Sequence, residues 1–230
     1  MNTWIKVARY HLVDRLSYTA LPWCILAFNF ALTAVILAMA GAAKHPQSGS
    51  GALAAIYIFF FVLGMLSIFR SLPFGLALGV SRRSYYSGTM LLVVSLAAVY
   101  GLALAVLQII ERATGGWGMT LHFFRVAYIF SGPWYLTWLT SFVLLALLFT
   151  WGTWFGLVYW RWNLTGLLAF AAAQVTVLLG GGLITTGAHA WPAIGRFFTT
   201  LSAAGLTGLL AALAVALTAG GLATIRRITV

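Results

Sequence analysis

The sequence predicts an all-α integral membrane protein: an N-terminal interfacial amphipathic helix, then six transmembrane helices, with both termini cytosolic. Three observations predict it. Hydrophobic residues fill 63% of the 230 positions and charged residues only 7%, where soluble domains carry about 25% charged residues. Mean hydropathy is +1.02. Apolar runs of the length that crosses a bilayer, about 20 residues, follow one another from Leu21 onward. The 13 Lys and Arg, set against two acids, Asp14 and Glu111, lie at the ends of those runs. A net charge of +11 would suggest nucleic acid for a soluble domain. Cations dispersed at span ends suggest the lipid bilayer instead and argue against a nucleic-acid partner.

Residues 2–18 read as the interfacial helix. Ile5, Ala8, Leu12 and Leu16 share one narrow stripe at helical spacing, with Lys6, Tyr10 and Asp14 opposite. Arg9 lies near the stripe's edge, where it can snorkel. The apolar runs then give spans at about Leu21–Ala43, Gly51–Phe69, Gly88–Ile110, Pro133–Tyr159, Leu164–Ile184 and Leu201–Ile225. Pro22 and Pro133 suit first helical turns. No Gly/Ser linker or internal repeat divides residues 1–230, so the chain reads as one domain. Gly180-Gly181-Gly182 in the fifth run either permits close helix packing or marks a break, and a short re-entrant element at Thr185–Pro192 is compatible with either. Tryptophans 134, 138, 151, 154, 160 and 162 cluster around the fourth span and read as interfacial belt residues.

Orientation follows from the cations. With a cytosolic N-terminus, Lys6, Arg9, Arg15, Arg70, Arg82, Arg83, Arg161, Arg226 and Arg227 lie inside, and Lys44, Arg112, Arg125 and Arg196 outside. This excess supports inward termini and an even number of spans. The outer loops are Lys44–Ser50, residues 111–132 and Thr185–Thr200. Within the longest, Met119–Phe130 is aromatic-rich and could form an interfacial helix.

Most catalytic readings lack the necessary residues. The two carboxylates fall on opposite sides of the membrane, so they cannot act as a pair. His11, His45, His122 and His189 are scattered, with no HExxH spacing. No G-x-S-x-G elbow occurs. The single Cys24 makes no internal disulfide and reads as a small packing residue. No metal site is expected and no cofactor within this chain. Neither lysine, Lys6 nor Lys44, stands in a phosphate-loop context. The spans show no central carboxylate for ion coupling. Asn29, Gln108 and Gln174 are the main polar candidates, expected to be satisfied between helices.

The specific stretch is the inner loop, residues 70–87. Arg70 ends the second span, Ser71 can cap and Pro73 suits the first turn of a short apolar helix, Pro73–Leu78. Gly79 can supply a left-handed stop, and Ser81 can cap the helix carrying Arg82 and Arg83. On physical grounds this helix either fills a cleft on another protein, rests in the membrane interface or extends the second span.

The run Phe74-Gly-Leu-Ala-Leu-Gly-Val-Ser-Arg-Arg83, with Gly88 and Thr89 after it, resembles the small permease subunits of bacterial ABC-2-type ABC transporters. Those often show A-L-G-x-S-R-R-x-x-x-x-G-T after the second span. The resemblance implies a half-transporter in the bacterial cytoplasmic membrane. Two permease chains would pair, as a homodimer or a heterodimer, and each would dock a separate P-loop ATPase that binds ATP and Mg. Phe74, Leu76, Ala77, Leu78, Gly79, Ser81, Arg82 and Arg83 would form the coupling helix. Ile5, Lys6, Arg9, Leu12 and Arg15 would belong to the connecting helix. Members similar to this chain mostly export drugs, peptide antibiotics or lipid-like molecules. The alternative is a membrane assembly or immunity protein that acts by binding, without transport.

Overall fold

The computed structural model describes residues 16–39, 47–48, 53–77, 79–124 and 132–225. Ile5, Lys6, Arg9, Leu12 and Arg15 of the expected connecting helix, together with Leu78, lie outside them.

Helix α1, Leu21–Met39, continues from a π-helical turn at Leu16–Ala20. Helix α2, Ala54–Leu66, passes through a second π-helical turn, Ser67–Ser71, into α3, Leu72–Ala77. Then come α4, Arg82–Ala113, α5, Trp134–Gly187, α6, Trp191–Thr200, and α7, Ala203–Ile225. Two-residue strands β1, Gln47–Ser48, and β2, Leu121–His122, pair in parallel. The other regular elements among the described residues are helical. Among the described residues, five helices are long and apolar enough to cross a membrane: Tyr18–Met39, Ala54–Ala77, Arg82–Ala113, Trp134–Gly187 and Ala203–Ile225.

The 54 residues of α5 would reach about 81 Å if straight, at about 1.5 Å per residue. They do not run straight. Asn163 has φ 53° and ψ −156°, and the rings of Phe155 and Phe170 meet at 5.1 Å. Fifteen residues of unbroken helix would separate them by about 22 Å. The helix therefore reverses at Asn163, and Gly166 leaves the space that the Trp162 side chain fills. The glycines 180–182 do not break the second arm, which stays helical to Gly187, and open space surrounds the positions their Cβ atoms would take.

Contacts fix the helix directions. Phe61 meets Phe155, Ile68 meets Gly156 and Phe69 meets Tyr159, so α2 and the first arm of α5 run parallel. Their backbones touch. A side chain on Gly64 would collide with the Phe149 carbonyl, and one on Gly152 with the Phe61 carbonyl. Such small-residue contacts hold helices together where the surroundings give no hydrophobic drive. Helix α4 runs antiparallel to that arm, with Ala98 at Trp138 and Tyr85 in one buried cluster with Leu157. Helix α7 runs with it, Thr207 at Thr140 and Leu217 at Trp154.

Tyrosines of α4 pin both π-helical turns. Such turns leave backbone carbonyls without a helical donor. Tyr85 donates to the Ser67 carbonyl at 2.6 Å, and Tyr100 donates to those of Tyr18 and Thr19 at 3.0 and 2.9 Å. The main core lies among α1, α2, α4 and the first arm of α5. The arm from Leu164 onward buries none of its residues, and Leu183 and Ile184 are each 74% exposed.

Three sequence expectations need correction. The helix of the second apolar run does not stop at Arg70: it continues through the π-helical turn to Ala77, so the short apolar segment is its continuation. Cys24 faces outward instead of packing. Trp138 and Trp154 do more than an interfacial belt requires, because each donates its indole N–H to a carbonyl of a neighbouring helix, Ala98 at 3.1 Å and Leu217 at 3.0 Å.

Candidate functional site

At the Arg82 end of the bundle, α3 stops in a Schellman motif. Val80 N–H donates to the Gly75 carbonyl at 3.1 Å, and Gly79 N–H to that of Leu76 at 2.9 Å. Gly79 sits at φ 76°, the left-handed conformation this motif requires and glycine adopts without a Cβ penalty. Ser81 then caps α4. Its backbone is extended (φ −64°, ψ 144°), and its Oγ accepts from Ser84 N–H at 3.2 Å. Both devices stand where the sequence placed them.

The loop is held from beneath by a second apolar cluster. Ile68, Leu72, Tyr85, Tyr86, Leu157 and Ile225 are buried there, and Leu76 and Val80 pack against them. Gly75 lies directly under the Tyr85 ring, where a Cβ would come within 2.9 Å of Cδ2. Tyr86 donates across to the Thr218 carbonyl of α7 at 3.0 Å and rests on Gly221. The expected docking residues therefore divide. Leu76 belongs largely to the chain's own core. Phe74, 49% exposed, together with Ala77, Gly79, Ser81 and Arg83, forms the outward surface, and Arg82 is half-buried.

The opposite end closes differently. After α4 the chain turns through Gly115 (φ 63°), Gly116 (φ 88°), Trp117 (φ 61°) and Gly118 (φ 72°). It then pairs β2 with β1. An interfacial helix beginning at Met119 is thus replaced, over Leu121–His122, by extended chain. Glu111 organises this end. It is 1% exposed, and its Oε2 accepts from Phe124 N–H at 2.8 Å, Phe123 N–H at 2.9 Å and Trp117 Nε1–H at 3.2 Å. Its Oε1 is buried and has no hydrogen-bond partner among the described residues. Sequence reasoning treated Glu111 only as half of an impossible catalytic pair. A usable signal existed, since a chain with two acids keeps one beside an apolar span only where donors surround it.

Polar residues between the helices also differ from expectation. Thr140 and Thr207 bond across α5 and α7 at 2.7 Å. Asn29 bonds within its own helix to the Ile25 carbonyl at 2.8 Å, and Gln174 Nε2 is buried without a partner among the described residues. The thirteen-residue-lined groove between α4, α5 and α7, about 420 Å³, is almost wholly apolar, with Thr150 and Thr218 its hydroxyls.

Comparison of the chain with family models, with curated proteins and with solved structures returns no match.

Proposed function

We propose that this chain is the permease subunit of an ATP-driven ABC-type exporter in a bacterial cytoplasmic membrane. Its cargo would be hydrophobic or amphipathic, and a separate ATPase chain, holding ATP and Mg, would drive it. In this reading the arms of α5 count as two crossings, giving six in all, since one crossing takes about 20 residues. Both termini and the Arg82 end are cytosolic, as the cation count favours. One observation carries the reading: a capped loop, sealed below by the chain's own core, leaves both Phe74 and Arg83 exposed in a sequence without a phosphate loop. ATP binding to the partner would bias the permease between states that already exist.

The test is capture of a P-loop ATPase by the full-length chain from its native host membrane. Phe74→Asp and Arg83→Glu together should lose the ATPase while the chain stays inserted. Phe74 is a cleaner probe than Leu76, whose replacement by Asp would also disturb the buried cluster. Undiminished capture by the double variant overturns the assignment.

A second reading, a membrane assembly or immunity protein acting by binding, draws on the unburied arm from Leu164 to Gly187. In the first reading a second permease chain covers that face. Reconstitution separates the two: ATP-dependent movement of an amphipathic dye supports the exporter, and ATPase binding with no movement supports the binding protein.

A further inference from the structure

Helix α6 has ten residues and is about 15 Å long at about 1.5 Å per residue, against a bilayer hydrocarbon core of about 30 Å. It is too short to cross, yet the helices on either side of it are long and apolar enough. Its links to them are short, residues 188–190 to α5 and residues 201–202 to α7. The first link is a Schellman motif. Ala190 N–H donates to the Thr185 carbonyl at 2.9 Å and His189 N–H to that of Thr186 at 3.1 Å, with His189 at φ 50°. In the second, Ser202 Oγ caps α7 by accepting from Gly205 N–H at 3.1 Å. Helix α7 starts beside the start of α5, with Thr207 at Thr140, so α6 stands at the Glu111 end of the bundle. Trp191, Ile194, Phe197 and Phe198 share an arc of about 120° at 3.6 residues per turn, and Arg196 lies opposite. These four side chains are 55%, 37%, 53% and 43% exposed, and no residue of α6 is buried against the described residues.

We infer that α6 lies along the membrane surface at the Glu111 end, its aromatic face set among lipid acyl chains and Arg196 toward the headgroups. Short links at both ends hold the helix within reach of the hydrocarbon boundary, which makes the lipid bilayer the partner of this face. Trp191 fixes the direction in which the face points. Its indole N–H donates to Thr186 Oγ1 at 3.0 Å, in the last turn of the arm that ends at Gly187. The ring therefore turns back along the span, and the face it shares with Ile194 and Phe198 turns with it. Tryptophan suits that level, since its ring is apolar and its N–H keeps a partner. An amphipathic helix of this kind sinks its apolar face about 5–10 Å into the boundary between headgroups and acyl chains. Left in water, the same four side chains would form a contiguous apolar patch of the sort that marks a protein or membrane contact.

This contact depends on no ATPase and no cargo, so its failure and the failure of the exporter reading are separate results. The full-length chain carries Cys24→Ser and one new cysteine, Ile194→Cys or Thr199→Cys, bearing a nitroxide label, in phosphatidylcholine nanodiscs. Ile194 stands at the middle of the apolar arc and Thr199 outside it. Relaxation of the label by oxygen, which concentrates in hydrocarbon, is compared with relaxation by a nickel chelate confined to water. The oxygen-to-nickel ratio should be several-fold higher at Ile194 than at Thr199. Adding Phe197→Ser and Phe198→Ser to the Ile194→Cys chain should bring its ratio down toward that of Thr199. Equal ratios at the two positions, or a higher one at Thr199, overturn the inference. Protection of the Ile194 label from both reagents shows protein in place of lipid on this face and overturns it as well, as does a ratio unchanged by the two serines.

Discussion

The two ends of the bundle solve one problem in two ways. At the Arg82 end the chain must leave α3 and enter α4 within a few residues. It does so with backbone and side-chain bonds spanning three to five positions, all within Gly75–Ser84. At the Glu111 end, besides the short strand pair, a single carboxylate gathers donors that stand six, twelve and thirteen residues further on. The first closure is distributed over several weak, local and replaceable contacts. The second concentrates its polar bonds on one oxygen in a buried setting, where each unmet donor is expensive. Substitutions at the two ends should therefore differ sharply in cost.

The largest effect is expected from Glu111→Ala. It leaves the N–H groups of Phe123, Phe124 and Trp117 without an acceptor, and a buried donor left unsatisfied costs about 1–3 kcal/mol. Even with partial relaxation the loss should reach about 3 kcal/mol. Thermal unfolding in detergent should show a large drop in midpoint, and limited proteolysis should cut first within residues 114–124. A variant that melts with the wild type, its loop equally protected, would break the contrast.

Gly79→Ala should cost less. Nothing lies within 4 Å of the position a Cβ would take, so the penalty is purely conformational. A Cβ in the left-handed region costs roughly 1–2 kcal/mol. Asparagine tolerates that region better than alanine, so Gly79→Asn should recover part of the loss. Equal stability of Ala and Asn at this position would mean that the motif, not the residue, has shifted.

This contrast also explains what was legible in the sequence. The Gly79 stop and the Ser81 cap are written in adjacent residues, and both were readable. The run of apolar helices was readable for the same reason, since span length and hydropathy are properties of a single stretch. Other features depend on partners far along the chain. Tyr85 reaches Ser67 and Trp154 reaches Leu217, and Tyr86 reaches Thr218, 132 residues away. No local pattern encodes those acceptors, so Trp154 read as a belt residue and Tyr85 carried no message. Arg70 misled for a related reason. A cation ordinarily marks a span's end, but the π-helical turn over Ser67–Ser71 and its tyrosine donor carry the helix past it to Ala77. Glu111 was conspicuous by rarity, yet its role required knowing that residues 117, 123 and 124 fold back onto it.

The smallest expected effect has the opposite sign. The N-terminus of a helix carries a partial positive charge, which favours acids there and disfavours cations by typically 0.3–1 kcal/mol at exposed positions. Helix α4 nevertheless begins with Arg82 and Arg83, and its first turn holds no acid. Arg83 is exposed, so packing does not require it. Replacing it by Gln should therefore raise the chain's own stability by a few tenths of a kcal/mol, read as a small upward shift in the unfolding midpoint at low salt that fades as salt is added. Glu111 has the reverse profile, because its removal destabilises the fold through the contacts it makes. An arginine kept against the helix dipole serves something other than α4. If Arg83→Gln stabilises the chain and weakens ATPase capture, the Arg82 end carries a binding surface at the fold's expense. If the variant is less stable than wild type, Arg83 supports the fold, and the difference between the two ends is one of degree.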